Sequence, residues 1–272
     1  RRDPFPHVTA AIAFLRIFFI GGLISYRALF NWIRPAVYIP SMLGAPIFQI
    51  LFFTYLGRYS GVRNDAYFVV GNAVQVCSMS AIYAMTMALA NERNFQTLSP
   101  LLATPANRLA LVIGRGIPVI ANGLLVSAFG FLVGVVLLHF RPGWHTVPAL
   151  VLVLLVTVTS CTGLGMVLGS FGLRVRDVFF LSNLAYFLML LFCGINVPLD
   201  VLPPFMQAIG NVIPLTHGVA AARVIAGGGG LTAASGQLAS EAAVGVAYVA
   251  LAFTMFRFFE HQGRSAGVFE RL

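Results

Sequence analysis

Asn91-Glu92-Arg93-Asn94-Phe95-Gln96-Thr97-Leu98-Ser99-Pro100-Leu101-Leu102-Ala103-Thr104-Pro105-Ala106-Asn107-Arg108 is the stretch whose reading decides the fold. It is a polar interruption between two apolar segments that are each long enough to cross a bilayer. It is longer than a tight turn requires, and within it Phe95, Leu98, Leu101 and Leu102 recur at helical spacing. That spacing predicts a short helix lying across the membrane face and presented to a partner. Glu92, one of the chain's few acids, stands in it beside Arg93.

The chain around this stretch has 272 residues, of which 59% are hydrophobic and only 9% charged, with a mean hydropathy of +0.89. Such a composition excludes a soluble globular protein and points to an all-α polytopic membrane protein. All 17 basic residues are arginines. Without lysine there is no phosphate-binding lysine of a P-loop and no Schiff-base lysine, so any ATP chemistry belongs to another chain. The net charge of +9 comes from arginines dispersed at segment ends, which is not the gathered basic surface of a nucleic-acid binder. Cys77, Cys161 and Cys193 lie singly inside apolar segments and are read as packing residues. The five histidines have no partners at metal-ligand spacing. No hydrolase or protease motif appears, so an enzyme is not expected.

Taken in order, residues 8–34 are apolar but carry Arg16, Arg27 and Arg34, separated by 11 and 7 residues. At about 100° per residue these return to within about 20° of one another, which predicts an amphipathic helix lying in the interface. A tilted transmembrane helix is the other reading, disfavoured because a mid-membrane arginine costs roughly 2.5 to 3.5 kcal/mol on insertion scales. Six spans are then expected at 36–56, 66–90, 109–139, 147–171, 178–196 and 241–259. Between the last two, residues 197–240 are punctuated by Pro198, Pro203, Pro204, Pro214 and a glycine run at 227–230. They predict a re-entrant or outer-leaflet segment of short helices. The start, at Arg1 without a methionine, shows no cleavable signal peptide, so the spans themselves are expected to direct insertion.

With both termini inside, Arg1, Arg2, Arg16, Arg27, Arg34, Arg93, Arg108, Arg115, Arg174, Arg176, Arg257, Arg264 and Arg271 fall on the cytoplasmic side. Arg58, Arg63, Arg141 and Arg223 fall outside. This asymmetry obeys the positive-inside rule and places residues 91–108 in the cytoplasm.

Two span faces mix amides, aromatics and soft apolar groups. Asn72, Gln75, Met79, Tyr83 and Thr86 share one face of the second span, and Asn183, Tyr186, Leu190, Cys193 and Asn196 share one face of the fifth, with Phe187 beside them. Such faces suit an amphiphilic substrate, since amides donate and accept hydrogen bonds while rings and Met79 adapt. Polar residues in spans also hold helices together, at about 0.6 kcal/mol per contact, and both uses stand. Gly130-x-x-x-Gly134 and Gly165-x-x-x-Gly169 permit close helix approach, expected within the subunit. The acids map to ends and loops, which disfavours a proton-driven carrier. Glu241 is the nearest exception, at the start of the sixth span, where a carboxylate suits a helix N-terminus.

Glu92-Arg93, Thr97-Leu98, Leu101-Leu102-Ala103-Thr104-Pro105 and Arg108 resemble the E-R-x-x-x-T-L-x-x-L-x-x-x-P-x-x-R signature of the type-2 ABC exporter permeases. Leu202-Pro203, Asn211, Pro214-Leu215-Thr216 and Arg223 form a second match, and the resemblance covers nearly the whole chain. It leans toward the daunorubicin or multidrug-export branch, with polysaccharide or glycolipid export as the alternative. The resemblance implies a bacterial inner-membrane permease that pairs with a second, identical or different, permease subunit and with two cytoplasmic ATPase subunits. ATP and Mg are then held by those partners and no cofactor by this chain. Residues 91–108 become the coupling helix: Glu92 pairs with an ATPase arginine, Phe95 and Leu98 fill an apolar groove, Arg93 anchors the neighbouring chain or phospholipid, and Arg108 closes the motif. Asn72, Gln75, Met79, Tyr83, Asn183, Tyr186, Phe187 and Leu190 become the substrate cavity.

Overall fold

The computed structural model describes residues 39–61, 65–94, 108–172 and 177–266. The interfacial helix expected at 8–34, with Arg16, Arg27 and Arg34, lies outside them, as do residues 95–107 with Phe95 and Leu98. A π-helical turn, Ile39–Gly44, leads into α1 (Ala45–Ser60). α2 (Asp65–Asn94) and α3 (Arg108–Leu138) follow, then a short turn Trp144–Thr146 and α4 (Val147–Phe171). α5 (Val178–Phe192) is followed by a turn at Leu199–Val201, α6 (Pro204–Val212), α7 (Thr216–Ala226) and the long α8 (Leu231–Ala266). The described residues contain no strand.

α2 is the centre, packed by α1, α3, α4, α5 and α7. It is less apolar than α3 or α4, yet 72% of its apolar stretch is buried, against 11% for α8. The inversion follows from the solvent. Lipid accepts only apolar side chains, so the polar residues of α2, Asn72 and Gln75 among them, are shielded by other helices where the more apolar α3 and α4 need not be. Its face Val70, Val74, Cys77, Ala81, Met85 and Leu89 meets Val119 of α3 and Val153, Val158 and Cys161 of α4. A second cluster joins Ile50 of α1, Val69 and Ala73 of α2, and Val133 and Leu138 of α3. Hydrogen bonds fasten the same contacts: Ser127 Oγ donates to the Ala73 carbonyl at 2.7 Å, and Thr86 Oγ1 to the Gly165 carbonyl at 3.2 Å.

The paired glycines act within the chain. A Cβ at Gly130 would lie 3.2 Å from Ala73 Cα, and one at Gly165 would lie 2.9 Å from Met85 Cβ, so α3 and α4 approach α2 where side chains are absent.

Helix ends follow local chemistry. α1 stops at Gly61, whose φ of 64° gives a left-handed cap, with its N–H on the Gly57 carbonyl. Arg58 and Asp65 form an exposed ion pair across the loop into α2. α3 closes at His139, φ 56°, with Phe140 N–H donating to the Gly134 carbonyl at 3.0 Å. Asp177 caps α5 by accepting from Phe180 N–H at 3.1 Å.

Two boundaries depart from the sequence reading. α2 continues through Asn94, so the first residues of the polar stretch extend a long helix instead of starting a separate one. α8 begins at Leu231, not at Glu241, which shortens the interrupted segment expected at 197–240. The intervening residues mix Leu and Ala with Thr, Ser, Gly and Gln, and Ala, Leu and Gln sustain a helix whatever the mean hydropathy. Glu241 therefore sits inside α8.

The number of spans is coarser than the six expected. α2, α3, α4 and α8 are long and apolar enough to cross a membrane, and α6 with α7, bent by 87°, passes the same test only as a pair, either one broken span or a re-entrant loop. α5, with 15 residues, rises roughly 22 Å, short of a hydrocarbon core of about 30 Å.

Candidate functional site

The two polar faces singled out on α2 and α5 do meet, with α1 as a third wall. Asn72 is completely buried and anchors the meeting. Its Nδ2 donates to the Phe68 carbonyl at 3.0 Å and to Asn196 Oδ1 at 2.9 Å, while its Oδ1 accepts from Gln49 Nε2 at 3.0 Å. The other end of Gln49, Oε1, accepts from the Tyr186 hydroxyl at 2.6 Å. One amide on α1, one on α2, one phenol on α5 and one amide in the turn after α5 thus form a chain of four side chains. Such a chain lowers the cost of burial because each member satisfies the next, with Asn196 Nδ2 at its end left without a partner. Gln75, also completely buried, lies one turn along α2 beside Tyr186, and neither end of its amide has a partner of normal geometry.

Farther along the same faces the environment opens. The Tyr83 hydroxyl donates to Asn183 Oδ1 at 2.6 Å, and Asn183 Nδ2 donates to the Phe179 carbonyl at 2.9 Å. Phe179 packs at a tilt on Tyr83, with ring centroids 6.1 Å apart. Asn183 is exposed, Phe187 is 61% exposed, and Met79 and Leu190 are half-buried. The eight residues read as one cavity face are thus divided. Asn72 and Gln75 are sealed within the subunit, Tyr186 bridges, and Met79, Tyr83, Asn183, Phe187 and Leu190 reach the surface. Gln49 was missed from sequence; its only signal was a lone amide in an apolar segment.

The polar stretch 91–108 lies between the end of α2 and the start of α3. Glu92 and Arg93 are on the last turn of α2 and Arg108 is the first residue of α3. The two helix ends are tied near it by Arg115, whose Nη1 donates to the Ala88 carbonyl at 3.3 Å.

At the opposite end of α2, Arg223 of α7 gathers three elements. Its Nη1 donates to the Gly194 carbonyl at 2.8 Å, and its Nη2 to Ile195 O at 2.7 Å and Tyr67 O at 3.3 Å. The guanidinium lies over the Tyr67 ring, 3.5 Å from its centroid, and the Tyr67 hydroxyl donates to the Gly194 carbonyl at 3.0 Å. This arginine, read from sequence as a topology signal, is a structural clamp between α2, α7 and the turn after α5.

Among the described residues, no three histidines, cysteines or acids come together to hold a metal ion. The arrangement offers hydrogen bonding, aromatic contact and ties between helices. No curated protein matches the chain by sequence. Residues 22–226, from ahead of α1 to the end of α7, match the family described as ABC-2 type transporter, and the chain belongs to that family as a membrane-spanning permease of an ABC transporter.

Proposed function

We propose that this permease works as a pair with a second permease subunit and with two cytoplasmic ATPase subunits, and that it exports an amphiphile from the cytoplasm or inner leaflet. The observation that carries the reading is the Tyr83–Asn183 pair with Phe179 and Phe187 on an exposed face. The pair is hydrogen-bonded within the subunit but still sets a phenol and an amide on its surface, which suits a wet cleft facing a second subunit better than it suits the bilayer. Rings flanking the pair match a ligand that is apolar in body and polar at one end. In this reading Glu92, Arg93, Phe95, Leu98 and Arg108 receive the motion of the ATPase, whose association the family implies. Both termini and this stretch lie in the cytoplasm of a bacterial inner membrane, the short α1 and α5 join α2, α3, α4 and α8 as six spans with the bent α6–α7 pair as a re-entrant segment, and the substrate is an amphiphilic drug, antibiotic or lipid-like molecule.

The test is export by the whole transporter carrying Asn183→Ala or Phe187→Ala, measured over amphiphiles of graded charge. Each substitution is expected to slow export of at least one of them by about 2- to 10-fold at unchanged membrane expression, the scale of one lost hydrogen bond or ring contact. Unaltered export of every compound would leave both residues to packing.

A further inference from the structure

Glu241 is an acid inside a helix long and apolar enough to cross a membrane, and it is completely buried. Both of its oxygens are used. Oε1 accepts from Leu215 N–H at 2.8 Å and Oε2 from Gly218 N–H at 3.0 Å. These two groups open the first turn of α7, whose N-cap position is a leucine with no side-chain cap of its own. A helix start needs its free N–H groups satisfied, and a carboxylate is the group best suited to its positive end. Here the cap comes from α8, a different helix, instead of from the neighbouring sequence.

Leu215 itself is completely buried with φ 93° and ψ −35°, a backbone that a residue with a side chain adopts only where its surroundings hold it. It stands at the 87° corner between α6 and α7. Local contacts help brace that corner: Thr216 Oγ1 donates to the Gly210 carbonyl at 2.6 Å, and the Cys193 thiol approaches the Pro214 carbonyl at 3.8 Å. Neither reaches α8, whereas Glu241 does. Ser160 of α4 lies against the same carboxylate, and His217, Cys77, Cys161 and Cys193 are the other titratable groups near it.

We propose that Glu241 is a positioning residue that latches the α6–α7 corner to α8, so that the broken segment swings away from the bundle only when this carboxylate releases Leu215 and Gly218. The inference stands on this local geometry. Its test needs neither substrate nor ATP, so it succeeds or fails independently of the proposed transport.

The native cysteines report on it. Cys77, Cys161 and Cys193 are all buried, and only Cys193 leans on the corner. In the full chain held in its membrane, with Cys77 and Cys161 replaced by alanine, the rate of N-ethylmaleimide addition to Cys193 is read by mass. Glu241→Gln keeps the shape but turns an amide donor toward one of the two N–H groups. Glu241→Ala removes both acceptors. Each is expected to speed Cys193 labelling by about tenfold or more, as local opening at the corner exposes the thiol. A matched chain retaining only Cys77 is expected to stay unreactive with either substitution. Labelling of Cys193 within about twofold of the parent in both variants would overturn the latch, as the corner would then be held without it. Equal gains at Cys77 would also overturn it, by showing that Glu241 supports the whole core.

Discussion

Arg223 shows how much one side chain carries in this protein. Its planar fork reaches two consecutive carbonyls after α5 while its face covers Tyr67, and Gly71 leaves it the room: a Cβ there would lie 2.6 Å from Nη2. A lysine has the charge without the fork or the stacking plane. Arg223→Lys is therefore expected to lower stability by about 1 to 3 kcal/mol, the scale of losing hydrogen bonds to a charged group. Thermal unfolding of the detergent-solubilised protein measures it, and an unchanged midpoint would refute the clamp. Asn72 and Gln49 are tied in the same manner, each amide fixed at both ends or nearly so. At this scale the sequence was readable by residue type and not by partner. Asn72, Tyr186 and Asn196 stood out as amides and phenols at helical spacing, but Gln49 and Arg223 revealed their roles only once α1 and α7 were in place.

Among the elements, α7 approaches α4 closely. A Cβ at Gly218 would fall 2.2 Å from Thr157 Oγ1, and both residues are buried. Gly218→Ala is expected to cost about 1 to 3 kcal/mol by overpacking, and adding Thr157→Ala is expected to recover part of it by removing the obstructing atoms. The two single variants and the double variant, compared by thermal unfolding, give the coupling. Additive losses would mean that the helices separate instead of repacking. Helix identities were legible because apolar runs between prolines, glycines and arginines set them. Helix ends were less so: α2 through Asn94 and α8 from Leu231 continue into polar residues, where hydropathy falls but helix propensity does not.

Across the whole molecule, the two ends of α2 are tied differently. Arg223 clamps its beginning to α7, and Arg115 ties its end to α3 beside Glu92 and Arg93. A helix held at both ends and packed on five neighbours transmits a push along its axis instead of bending, which suits the coupling role proposed for residues 91–108. Glu92→Ala is expected to leave membrane insertion intact while lowering substrate-stimulated ATP turnover and export roughly tenfold, the scale of one charge-assisted hydrogen bond. Parallel measurements of expression, ATPase activity and export check it. Unchanged stimulation and export would remove Glu92 from the coupling path.

Sequence alone determined that the chain belongs in a membrane and that it is helical there. Those conclusions need only composition, because a bilayer forces each backbone to satisfy its own hydrogen bonds. Tertiary structure decided which helix is central and which polar side chains answer one another. Lipid supplies polar groups with no partner, so Asn72, Gln49, Arg223 and Glu241 must find theirs in other helices. The distances between those helices are set by packing across the chain, not by spacing along it.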